Sequence, residues 1–128
     1  MRSRPVHPVP GVYPPTTDYV HAAEVSTPER WVFVAGTMGL DAGGQSGADI
    51  DEQLDLVWDN LTAILARADM TVDHIVRLTT YLTDAAHAER NGAVRVERLG
   101  GRAIPTTAVV VETLSAEWLV EIEVIAAR

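Results

Sequence analysis

The chain has no cysteine and no lysine; all ten of its Lys and Arg positions are arginine. The first absence excludes thiol nucleophiles, disulfides and cysteine-ligated metal sites. The second excludes a lysine Schiff base and covalent attachment of pyridoxal phosphate. Cations are scarce overall, and the formal net charge of −8 argues against nucleic-acid binding, which depends on clustered positive charge. No apolar run approaches the roughly 18 residues of a membrane span, and the N-terminus lacks the charged-then-apolar pattern of a signal peptide, so a cytoplasmic protein is expected. His7, His74 and His87 form no metal-ligand spacing, and there is no HExxH, so no metal is expected. A Gly-x-Ser-x-Gly elbow and a phosphate loop are also missing, with Gly43-Gly44 alone too weak a phosphate signal to use. No cofactor is implied.

What remains is a chain of 128 residues with 47% hydrophobic content, the size and composition of one globular domain. Residues 1–17 carry five prolines and read as an extended arm without regular structure, leaving residues 18–128 as the domain. Residues 18–25 and 30–36 read as strands joined by a Ser26-Thr27-Pro28-Glu29 turn, and residues 39–47 as a glycine-rich loop. Asp49 followed by Glu52 resembles a capping box. The helix after it lines up Leu54, Val57, Trp58, Leu61, Ile64, Leu65 and Ala68 on one stripe. Residues 75–82 read as a strand. Residues 85–99 read as a second helix with Ala88, Val94 and Leu99 as its core positions, ended by Gly100-Gly101.

The last quarter holds two β-branched runs, residues 104–112 and 119–126, whose nearness in sequence suits a hairpin-like pair. Glu121 and Glu123 lie two apart in the second run and therefore share one face of the sheet. Carboxylates on a half-buried strand need partners or solvent, which marks this face as a cleft or a subunit interface. The element order β-β-α-β-α-β-β predicts an α+β fold, a single mixed β-sheet with two helices packed on one face. Its other face would carry leucine- and valine-rich strands and calls for association to cover it.

Several segments, in order, resemble one known family. Val120-Glu121-Ile122-Glu123-Val124-Ile125-Ala126 resembles the "IEIEAIA" ending of the RidA (reactive intermediate deaminase) family. Ala35-Gly36-Thr37-Met38-Gly39 resembles its "SGQIP", and Asp73-His74-Ile75-Val76 followed by Tyr81-Leu82-Thr83-Asp84 resembles "DIVK…VFLTD". The likeness runs from about Tyr19 to Arg128. It implies a chorismate-mutase-like fold assembling as a homotrimer, with clefts between neighbouring subunits that bind a small-molecule substrate. It also implies hydrolysis of an enamine or imine with release of ammonia.

The resemblance assigns roles residue by residue. Glu121 matches the glutamate that handles the hydrolytic water, with Glu123 expected to be structural. Tyr19 matches a cleft-lining tyrosine, and His21, at a glutamine position of the family, is a candidate acid/base or else a surface or interface histidine. Gly36 and Thr37 match a segment whose backbone faces the ligand, the alternative being a simple turn. The family's "PARS" strand supplies an arginine to the substrate carboxylate; counted back from the two glutamates that position is Thr106, followed by Thr107. A hydroxyl can hydrogen-bond a carboxylate but lacks the charged fork of arginine. Arg102, just upstream, is a candidate replacement or a solvated loop residue. A substrate other than a simple 2-imino acid is therefore expected. The alternatives are a related dehydration or cyclisation of a specialised pathway, and a non-catalytic binder of small metabolites.

Overall fold

The computed structural model describes residues 1–128. Strand β1 (Arg2–Val6) pairs antiparallel with β2 (Ala22–Ser26) in a separate two-stranded ribbon. Then follow β3 (Trp31–Met38), α1 (Ile50–Arg67), β4 (Ile75–Leu82), α2 (Ala88–Arg98), β5 (Thr106–Val110) and β6 (Val120–Ala127). The main sheet is mixed, in the order β3-β6-β4-β5. β6 runs antiparallel to both β3 and β4, and β5 runs parallel to β4 through the α2 crossover.

The α+β architecture agrees with the sequence reading, but several details differ. The two C-terminal strands do not pair with each other. β6 inserts between β3 and β4, while β5 takes the edge. The reason is burial: β6 alternates fully buried Val120, Ile122 and Ala126 with half-buried residues and fills the centre, whereas four of five β5 residues are exposed. The second difference is at the N-terminus, where part of the proline-rich arm is the strand β1. Pro5 lacks an N–H but sits in a two-stranded ribbon opposite Ala23, where an unpaired backbone side faces solvent. Third, β2 spends its pairing on β1 and not on β3. The helix expected over residues 85–99 begins as a single 3-10 turn, Ala85–His87, capped by Asp84.

Both helices pack on one face of the sheet. Asp49 caps α1 by accepting from the Glu52 amide at 2.9 Å. Leu54, Val57, Trp58, Leu61 and Leu65 face Leu78, Leu82, Ile122 and Val124 in the core. Ile64, which the periodicity put on that stripe, is exposed, as is Ala88 of α2. In their place polar residues go inside. Asn91 and Arg95 of α2 are buried, and Arg95 forms an ion pair with Asp18, which ties the segment before β2 to the second helix. The ordinary carboxylate range does not apply to Asp18: the Thr16 hydroxyl first, and the Arg95 charge with it, hold its carboxyl low. α2 ends where Gly100 and Gly101 adopt positive φ and return their amides to Glu97 and Val96.

Gln53 and Thr80 complete the four buried polar residues, and all of the Gln53 side chain is used. Its amide donates to Gly47 O at 3.0 Å and Glu117 O at 2.8 Å, and its carbonyl accepts from the Leu119 amide at 2.9 Å. It thereby joins the loop before α1 to the loop entering β6. Replacing Gln53 by Leu strands buried backbone groups of both loops, and a loss of about 2–3 kcal/mol is expected in urea unfolding at fixed protein concentration. A loss below about 0.5 kcal/mol would show that the loops hold without the clamp.

Candidate functional site

The face of the sheet away from the helices is uncovered. Register decides which side chains stand on it. Arg77, Thr79 and Tyr81 of β4 lie opposite Ile125, Glu123 and Glu121 of β6, and Thr107 and Val109 of β5 extend the same rows. Beyond β6, Trp31 and Phe33 of β3 stack with ring centroids 6.3 Å apart, and Phe33 is 73% exposed.

One end of this face holds a cavity of about 390 Å³ lined by Gly36, Tyr81, Glu121, Glu123 and the loop 111–114. A bulge in β3 between Val34 and Thr37 sets one extra residue against β6. Gly36 lies in that bulge, and a Cβ there would collide with the Glu121 carboxylate. Glycine is thus what lets the carboxylate lie down on the strand. Glu121 makes no hydrogen bond or ion pair within the chain, whereas Glu123 accepts from the Tyr81 hydroxyl. That bond, reinforced by burial and by the negative charges of Glu123 and Glu121 against a smaller opposing effect of Arg77, raises the Tyr81 hydroxyl above the ordinary phenol range. Tyr81 is therefore a standing donor near neutral pH, and Glu121 is the carboxylate without a partner in the chain.

A second cavity, about 420 Å³, lies at the other end and is lined by His21, Trp31, Val76, Arg77, Pro105 and Ile125 among others. The ring of His21 is wedged between Tyr13 (centroids 4.9 Å) and Tyr19 (6.0 Å), both edge-on. Its Nε2 lies 2.6 Å from the Tyr13 carbonyl. A carbonyl only accepts, so Nε2 carries a hydrogen, and Nδ1 makes no hydrogen bond within the chain.

The residues singled out in the sequence fall into groups. Glu121 and Gly36 share the first cavity, with Thr37 next to them, its hydroxyl donating to Ala35 O at 2.9 Å. Tyr19 and His21 meet at the second. Of the two threonines only Thr107 stands on the open face, where it accepts a hydrogen bond from Arg77 at 3.2 Å. Thr106 pairs with buried Leu78 and turns its hydroxyl to Ile104 O. Arg102 lies elsewhere: half-buried, it donates to Val72 O and Ile75 O, and desolvation lowers its basicity. Sequence reading passed over Arg77, Tyr81 and the 111–114 loop; the two-residue spacing of Arg77, Thr79 and Tyr81 in an otherwise apolar strand was the available signal.

A mixed sheet carrying two helices on one face and a carboxylate-bearing cavity on the other defines the class of fold. Comparison with known proteins gives the family. The endoribonuclease L-PSP family model matches residues 12–128. A RutC family protein of Pyrococcus abyssi is 32% identical over 114 residues, spanning 88% of this chain and 87% of its own. Among solved structures, a conserved Rid family protein of unknown function from Yersinia pestis superposes with a TM-score of 0.83 at 27% identity over 100% of both chains. A Mycobacterium tuberculosis member of the YjgF/YER057c/UK114 family gives 0.69 at 31% identity over 86% of each. The chain belongs to the endoribonuclease L-PSP family, the Rid proteins.

The state of Tyr81 can be read directly. In an ultraviolet titration of the folded protein, one of its three tyrosines should ionise later than the others, and Tyr81→Phe should remove that late phase. Simultaneous ionisation of all three would mean that the Glu123 hydrogen bond does not persist in solution.

Proposed function

We propose that the chain is a Rid-type hydrolase that acts on an enamine or imine in a cleft completed between copies of the chain. The observation that carries this reading is the Glu121 carboxylate, held against Gly36 at the edge of an open cavity and free of any partner in its own chain. In the proposed reaction, Glu121 takes a proton from water as the oxygen adds to the C=N carbon. The nitrogen is protonated, the C–N bond breaks, and the oxygen loses its remaining proton. The sum is imine plus water giving carbonyl compound plus ammonia. The Tyr81 hydroxyl keeps Glu123 occupied, so a single carboxylate serves as base.

The intersubunit cleft is supported by distance. The Glu121 and His21 cavities sit at opposite ends of β4, Tyr81 and Arg77 being four residues or about 13 Å apart along the strand. One chain thus offers two half-sites. A closed ring of three copies would join one copy's Glu121 end to the next copy's His21 end and cover Trp31 and Phe33. Thr37 and the backbone at Gly36 would flank the substrate, with Tyr19 and His21 contributed from the other side.

The lack of an arginine on β5 favours a substrate other than a simple 2-imino acid, and it equally favours a second reading in which the cleft binds metabolites without turnover. Ammonia release from freshly generated 2-imino acids and neutral imines separates the two. Turnover that falls at least about a hundredfold in Glu121→Gln supports the hydrolase, and full activity of that variant sinks it. No turnover across the panel, with a metabolite retained through purification, supports the binder. Thr107→Arg, on the open face, should raise the rate on 2-imino acids, whereas Thr106→Arg should not. Light scattering should give three times the 13.9 kDa chain mass; a monomer would remove the shared cleft.

A further inference from the structure

We propose that Arg77 supplies from β4 the cation that β5 lacks, and that the His21 cavity binds a small carboxylate bearing an apolar substituent. The proposal rests on the reading of this face as the ligand cleft, but not on turnover.

Most of the arginines are already engaged within the chain. Arg4, Arg90, Arg95 and Arg98 are in ion pairs. Arg30, Arg102 and Arg128 cap backbone carbonyls. Arg2 and Arg67 are exposed and enter no side-chain hydrogen bond or ion pair. Arg77 differs from all of these in standing on the open face of the main sheet, where its one hydrogen bond is to a neutral hydroxyl, that of Thr107. In a chain with a net charge of −8 this guanidinium forms no ion pair, although Glu123, whose carboxylate is bonded to Tyr81, lines a neighbouring cavity with it.

Glu123 stands on the same face as Arg77, one pair along, but its carboxylate is held by Tyr81. No carboxylate lines the cavity that Arg77 shares with His21; the rest of that wall includes Trp31, Val76, Pro105 and Ile125. The opposite strand places Ile125 directly beside Arg77. His21 is the only other titratable group in the lining.

Thr107 accepts from one guanidinium N–H, which orients the Arg77 fork and leaves the hydroxyl hydrogen of Thr107 free to donate. Thr107 itself does not line the His21 cavity, so its part is to hold the guanidinium; the remaining N–H groups of Arg77 can meet the two oxygens of one carboxylate, and the apolar wall takes its substituent. The hydroxyl on β5 thus positions a cation that arrives from the neighbouring strand.

The test is calorimetric titration of the full chain with 4-methyl-2-oxopentanoate and with its neutral amide. The acid should bind about tenfold or more tightly than the amide. Arg77→Gln should abolish that preference while leaving the weak amide binding. Arg77→Lys should restore part of it, since charge returns without the fork. Thr107→Val should weaken the acid severalfold. Unfolding temperature and assembly state, measured alongside, identify any variant that fails to fold, in which case the Arg77→Lys and Thr107→Val results carry the test. Acid binding unchanged in Arg77→Gln, or equal binding of acid and amide by the wild type, overturns the proposal. Acid-selective binding that depends on Arg77 sustains it even if Glu121→Gln leaves turnover untouched, so the two readings can fail separately.

Discussion

The register of β6 is the constraint on which the rest of the molecule depends. Its even-numbered residues Val120, Ile122, Val124 and Ala126 enter the core beneath α1, and its odd-numbered Glu121, Glu123 and Ile125 face away. A slip of one residue would exchange the two sets, burying two carboxylates under the helices and exposing four aliphatic side chains. Because β6 pairs on both sides, its register also fixes which residues of β3 and β4 stand with it. Gly36 meets Glu121, and Tyr81 meets Glu123, only in this one alignment.

Two carboxylates two residues apart on one strand might be expected to serve alike. Their surroundings divide them. Tyr81 occupies Glu123 with a phenol that stays protonated, and the bulge in β3 opens a bed of bare backbone for Glu121. The same economy of partners holds at the far end of β4, where the Glu123–Tyr81 bond leaves Arg77 to turn toward Thr107. The Tyr81 hydroxyl thus holds the one carboxylate that lies between the two ends of the open face.

The elements legible in the sequence were those with a local cause. α1 showed its capping residue and its apolar stripe, and β4 was read to its limits, residues 75–82. Long-range pairing was not legible. The two C-terminal runs are neighbours in sequence, and nothing in their composition says that residues 111–119 carry the chain past β4 so that β6 enters between other strands. Proline content concealed β1, since proline is excluded from central strands but tolerated in a ribbon edge. Periodicity counts polar residues as outward, so it missed Gln53, Asn91 and Arg95, whose burial depends on partners remote in the chain. At the site, Glu121 and Gly36 came from family likeness and do lie together. Arg77 and Tyr81 were passed over because their importance is positional: it arises from what stands opposite them.

The central position of β6 has a consequence for how the fold is reached. β3 and β4 share no backbone pairing with each other; both are joined through the strand that comes last among the elements. A chain emerging from the ribosome in sequence order can close the β4–α2–β5 unit early, but β3 must wait, its hydrogen-bonding edge unpaired, until residues 120–127 are released. Such a waiting edge is where misassociation starts. Completing the sheet and setting Glu121 against Gly36 are therefore one event, the insertion of β6 between β3 and β4.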